Sequence, residues 1–204
     1  MASRKTPGRT QVERSDATRG ALLVAAHALF AQRGYAETSL DDVAREAGVT
    51  KGGLYHHFAG KVQLFESVFE QEQMRLAELG VRAYAAKRDQ RAGLFEACRS
   101  FLESALDPGV QRILLIDGPT VLGWARLHEI EGRYTLANLK LGLERAMADK
   151  VIAMRPIEPL LPLLNGALCD AAMFIGRSSD SRAALRATLA EFRLMFDALV
   201  APRD

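Results

Sequence analysis

Along most of the chain, apolar residues return every three or four positions, the spacing of one face of an α-helix. From Asp16 to Arg33, Leu22, Ala26, Leu29 and Phe30 share a face, and Gly34 follows where a C-terminal cap stands. Ser39 and Asp42 form a capping box with Asp in place of Glu, opening a short helix striped by Leu40, Val43, Ala44 and Ala47 and ended by Gly48. Thr50 is a good N-cap for a third short helix reaching about Phe58. A long helix starts near Lys61 with Leu64, Phe65, Val68 and Phe69 inward, and its pattern loosens past Leu79. The fifth carries Leu94, Phe95, Cys98, Phe101, Leu102 and Ala105 on one face.

Asp107–Pro108–Gly109 is expected to break that helix, and Gly118–Pro119 to break the apolar piece "VQRILLID". Residues 120–154 predict one long helix or two, with Gly123 and Gly132 as kink points. Pro156, Pro159 and Pro162 crowd the start of the next, where early prolines are best tolerated. No period-two alternation persists and no repeat of 20–50 residues is visible, so the predicted class is all-α with about nine helices.

Composition narrows the class. Of 204 residues, 49% are apolar and 25% charged, a soluble globular balance. Apolar runs are expected to break before the roughly 18–20 residues of a membrane span. "MASRKTPGRTQVERSD" lacks the apolar core of a secretory signal, so a cytoplasmic location is expected. Residues 1–14 are read as a flexible basic arm, 15–61 as one domain and 62–204 as a second. The net charge is only +2, but residues 1–61 hold nine Lys/Arg against six Asp/Glu, and the rest eighteen against nineteen. That basic bias is too small to establish nucleic-acid binding alone. Cys98 and Cys169 form no CxxC pair and sit in apolar stretches, as packing thiols do.

Candidate chemistry concentrates in "VTKGGLYHHFAGK", residues 49–61. Three short helices and a long one, with a glycine turn between the second and third, have the shape of a helix-turn-helix domain. The third helix then exposes Lys51, Gly52, Gly53, Tyr55 and His56. Its glycines suit close approach of backbone to a phosphate or base edge, and its free N–H groups suit an anion. Adjacent His56 and His57 are not a zinc pair, which needs histidines four apart, and "KGG" lacks the Walker spacing. GxSxG, HExxH and GxGxxG are absent, so no enzyme activity, cofactor or metal is expected.

Residues 34–65, "GYAETSLDDVAREAGVTKGGLYHHFAGKVQLF", resemble the DNA-binding segment of the TetR family of bacterial transcriptional regulators. The resemblance implies a helix-turn-helix DNA-binding domain over residues 15–61 and a ligand-binding and dimerisation domain over 62–204. It implies a homodimer whose two third helices enter successive major grooves of a palindromic double-stranded operator. By motif position, Ser39, Thr50, Lys51, Gly52, Gly53, Tyr55, His56, His57 and Lys61 correspond to the family's DNA contacts. One departure stands out: residues 40–42 are Leu-Asp-Asp where some members place Thr, Arg or Lys, and Asp41 cannot attract a phosphate. Tyr55 and His57 have an alternative as packing residues beneath the fourth helix, and Phe58 is read as core.

In the C-terminal part, residues 157–176 are apolar nearly all round, as a helix buried on both sides is. Leu185, Leu189, Phe192, Phe196 and Leu199 are spaced as a packing seam in the last helix. Pairing these two helices with their copies would give a four-helix bundle, the usual TetR-family association. Leu164, Leu168 and Ala171 are its expected contacts, with Leu185, Leu189, Phe192 and Phe196. An aromatic-walled ligand chamber is expected between, with Trp124 and His128 on one face, Tyr134 and Asn138 on another, and Phe101, Leu114 and Met173 completing it. All of these have an alternative as ordinary core. "RILLIDGPTVLGWARLHEIEGRY" resembles a segment of one TetR subgroup. The function expected is a repressor released from its operator by a small molecule. Rival readings are a regulator without effector, sensing redox through its cysteines or activating transcription, and a helical carrier.

Overall fold

The structure, a computed structural model, describes residues 11–200. Its helices are α1 (Gln11–Arg33), α2 (Leu40–Glu46), α3 (Lys51–His57), α4 (Lys61–Ala85), α5 (Gln90–Ser104), the single turn α6 (Pro108–Val110), α7 (Gly118–Arg133), α8 (Thr135–Ala148), α9 (Ile157–Arg177) and α10 (Ser181–Val200). Nine exceed one turn, no strand occurs among the described residues, and the all-α expectation holds. A π-helical stretch, Gln111–Asp117, joins α6 to α7.

Several boundaries differ from expectation. Residues 11–14, read as part of a basic arm, form the first turn of α1, while residues 1–10 lie outside the described residues. Helix α4 continues past Leu79 to Ala85. Gly118–Pro119 starts α7 instead of breaking the chain, because a proline in the first turn sacrifices no helical hydrogen bond. The irregularity falls at Gly123, whose φ of 72° and ψ of 157° kink α7 in a conformation open to glycine. Gly132 stays helical, and α7 ends at Arg133 with Tyr134 as its C-cap.

The chain forms two compact units, one ending at Val68 and the next beginning at Phe69, so α4 contributes residues to both. In the first, Leu22, Ala26 and Phe30 of α1 pack with Val43, Leu54, Phe58, Leu64 and Phe65, all buried. Phe65 meets Phe30 edge-on at 5.2 Å and Tyr35 at 5.3 Å. Buried Thr38 donates its hydroxyl to the Gly34 carbonyl at 2.8 Å, fixing the turn before α2.

In the second unit α5, α8, α9 and α10 pack on one another around Phe95, Cys98, Leu102, Leu143, Leu168, Ala172 and Ile175. Phe95 lies against Phe192 at 5.8 Å and Phe196 at 5.6 Å. Helix α9, with 21 residues and a mean hydropathy of 1.4, is long and apolar enough to cross a membrane by length and composition alone, contrary to the expectation of interrupted apolar runs. It packs against α5, α8 and α10, but only one side is covered.

Candidate nucleic-acid interface and a cavity in the second unit

The α2–α3 segment is a tightly capped pair of short helices. Ser39 Oγ accepts from Asp42 N at 3.1 Å and donates to the Asp42 carboxylate at 2.7 Å. That bond and the ion pair with Arg45 hold the Asp42 carboxyl below its usual value. Gly48 turns the chain with φ of 65°, and Thr50 Oγ1 accepts from Gly53 N at 3.1 Å. Of α3, only Leu54 is buried, with Phe58 just beyond it. Thr50, Lys51, Gly52, Tyr55 and His56 are exposed, Tyr55 at 48%, and Gly53 and His57 are half-buried. His57 therefore sits at the edge of the face and not in the core, its ring 5.3 Å from that of His56.

The two glycines do different work. A Cβ on Gly53 would stand 2.9 Å from Val49 Cγ1 and 3.2 Å from Thr50 Oγ1, so the cap itself requires glycine there. A Cβ on Gly52 would meet nothing within 4 Å, so the chain's own packing does not require glycine there. The cations are not idle either. Lys51 Nζ pairs with Asp41 at 2.9 Å, which raises the lysine's pKa and ties α3 to α2. Lys61 Nζ donates to the Ala36 carbonyl at 3.2 Å and lies 4.2 Å above the Tyr35 ring. Ser39 is exposed, but its hydroxyl is engaged as the α2 cap.

The second unit holds a cavity of about 250 Å³, partly open to solvent and near the lower end of known ligand sites. Of the expected walls, Phe101, Leu114 and Asn138 line it. Trp124, His128, Tyr134 and Met173 do not. Trp124 and His128 share a face, their rings 5.7 Å apart, but that face is the outside of α7: Trp124 is 65% exposed, while Leu127, Ile130 and Glu131 point inward. Tyr134 donates its hydroxyl to Glu70 at 2.8 Å, where Arg133 also pairs at 3.0 Å, and so clamps α8 to α4. That carboxylate raises the Tyr134 pKa. Met173 lies one turn past Cys169, the last residue of α9 that lines the cavity.

Apart from Asn138, the cavity's polar wall was missed in the sequence. Gln73 accepts from the Thr135 hydroxyl at 2.8 Å, and Asn138 donates to the Ala77 carbonyl at 3.3 Å. Glu131 is buried, and burial raises its pKa against the opposing effect of His128 Nδ1 at 3.1 Å. Its position four residues after Leu127, on the same stripe as Ile130, was the available signal. Both thiols also line the cavity, and burial pushes each up to about 12.

Four of the seven expected dimer contacts are spent within the chain itself. Leu168, Leu185, Phe192 and Phe196 are buried in the chain's own core, with Leu164, Ala171 and Leu189 half-buried against it. The seam in α10 is occupied by α5, since Phe95 fills the space between Phe192 and Phe196. The uncovered apolar residues are Leu163 and Phe174 of α9 and Leu194 and Met195 of α10, each more than half exposed.

Against known proteins, residues 22–68 match the bacterial regulatory proteins of the tetR family, and residues 91–199 the tetracyclin repressor-like C-terminal domain. A solved TetR-family transcriptional regulator from Pectobacterium atrosepticum is 34% identical and superposes with a TM-score of 0.80, covering 96% of this chain and 100% of that one. The chain belongs to the TetR family. It is therefore a DNA-binding transcriptional regulator built on this helical fold. The Escherichia coli transposon Tn10 TetC protein is 26% identical over 160 residues, 76% of this chain and 79% of its own. The transcriptional repressor BepR of Brucella suis is 40% identical over 73 residues, 33% of this chain and 34% of its own. The Pectobacterium protein is named a transcriptional regulator and BepR a transcriptional repressor.

Proposed function

We propose that this TetR-family protein is a cytoplasmic repressor that binds a palindromic operator as a homodimer and leaves it when a small molecule fills the second unit's cavity. The observation that carries the DNA reading is the exposed first turn of α3. Its cap is fully formed by Thr50, Gly52 opens onto free space, and Tyr55 stands outside the core. Such a turn offers backbone N–H groups to a phosphate and side chains to the groove. The repressor sign is supported by the relative named as one.

Dimerisation is assigned to the outer faces of α9 and α10. Leu163 and Phe174 flank Gly166 and Ala167, exposed small residues that permit close helix contact. Release is a population shift: a ligand that fits the DNA-incompetent arrangement better draws the dimer away from DNA. Helix α4 is the natural transmitter, since it supplies residues to both units. A redox signal is disfavoured, because burial pushes both thiols up to about 12 and so works against the reactive thiolate.

The test is selection of genomic fragments bound by the purified protein, followed by competition with candidate ligands. Recovery of a palindrome whose binding a small molecule abolishes supports the reading. Failure to enrich any fragment at moderate salt would end it.

A further inference from the structure

We propose that the cavity admits a compact, mostly apolar molecule bearing a single amine head, with the ammonium resting on the Glu131 carboxylate. The inference rests on the reading of this cavity as the effector's site and names the chemistry that site selects. Glu131 is 8% exposed and lines the cavity, yet among the described residues only His128 Nδ1 bonds its carboxyl. His128 itself is more than half exposed, so its imidazole is shared with solvent and compensates the buried charge poorly. A carboxylate removed from water needs a paired cation or several donors.

The other polar groups on the wall are partly engaged. Gln73 Oε1 holds the Thr135 hydroxyl, Asn138 Nδ2 holds the Ala77 carbonyl, and Asn165 Oδ1 lies 3.9 Å from Cys169 Sγ. Glu131 and Cys169 both line this space, and the Glu131 charge adds to burial in raising the thiol's pKa. Most of the remaining wall is apolar, with Leu76, Leu94, Phe101, Leu114, Leu139 and Leu168.

An anionic ligand has a weaker claim. The cation in the lining is Arg145, which is exposed and lies ten residues beyond Thr135 in α8. At 1.5 Å per residue that is about 15 Å along the helix, where solvent screens any ion pair. The buried carboxylate therefore dominates the choice of ligand, and an acid would have to enter against it.

Calorimetric titration of the full-length protein with phenethylamine, phenethyl alcohol and phenylacetate tests this without any variant. The amine is expected to bind about tenfold or more tighter than the alcohol, with the acid weakest, as a charge-assisted hydrogen bond would give. In Glu131→Gln the amine's advantage should vanish while the alcohol binds as before. Alcohol or acid binding as tightly as amine in the unaltered protein overturns the proposal. So do an unchanged amine affinity in Glu131→Gln and a lack of amine binding at millimolar concentration. Operator affinity is measured alongside. An amine bound through Glu131 that leaves DNA binding intact upholds the ligand class and removes the effector reading. Operator release by a neutral or anionic compound that enters the cavity does the opposite.

Discussion

Gly52 and Gly53 are chemically identical neighbours, and their surroundings assign them opposite tests. Gly52→Ala adds a methyl group to open space in a helix, so stability should hold or rise by up to about 1 kcal/mol. Operator affinity should nonetheless fall, because that methyl occupies the side of α3 proposed to meet DNA. Gly53→Ala must instead displace Val49 or the Thr50 cap, and should lower the melting temperature. Thermal melts and operator titrations on the two variants separate these effects. Asp41 offers the converse. Its carboxylate holds Lys51 and repels phosphate, so Asp41→Asn should tighten operator binding and steepen its salt dependence by about one phosphate contact.

Glu131 links residue chemistry to stability through pH. Its folded pKa is raised by burial, so above the usual carboxylate range the native state carries a charge it disfavours. The native state then holds more protons than the unfolded chain between the two pKa values, and stability falls as pH rises through that window. Glu131→Gln should therefore be more stable than the parent at neutral pH. The gain should shrink as pH falls toward the ordinary carboxylate value, in denaturant melts at several pH values.

At the scale of elements, helix boundaries set by caps and glycines were legible, because local hydrogen bonds decide them. Ser39 and Thr50 cap α2 and α3 as their sequence signatures require. What was not legible is which face of a helix looks inward when both faces carry apolar residues. Trp124 and His128 were correctly placed together yet lie outside, and the Phe192–Phe196 seam was spent on α5. Periodicity reveals a shared face but not its neighbour. The π-helical stretch shows the same limit: it carries buried Gln111, whose Nε2 donates to the Ala105 carbonyl at 2.5 Å. An added Cβ on Gly176 of α9 would fall 1.5 Å from that amide nitrogen. Gly176→Ala should thus expel Gln111 and cost about 1–3 kcal/mol, read from the denaturant midpoint.

Across the whole molecule, the two helices expected to mediate dimerisation bury one apolar face and leave another open. The faces give distinct outcomes. Phe192→Ala opens a cavity in the core and should destabilise the protein by about 3–5 kcal/mol. Phe174→Glu changes an exposed position, so the fold should persist while sedimentation reports a monomer. A monomer would also lose operator affinity, since only a dimer engages both half-sites.

The most direct measurement is the affinity of the purified dimer for its selected operator fragment, compared with that of Tyr55→Ala. Tyr55 is half exposed and outside the core, so the variant should melt with the parent. Its operator binding should weaken by about 10–100-fold, the value of one to three kcal/mol for a groove contact. Unchanged affinity in a correctly folded Tyr55→Ala dimer would contradict the assignment of this α3 face to DNA.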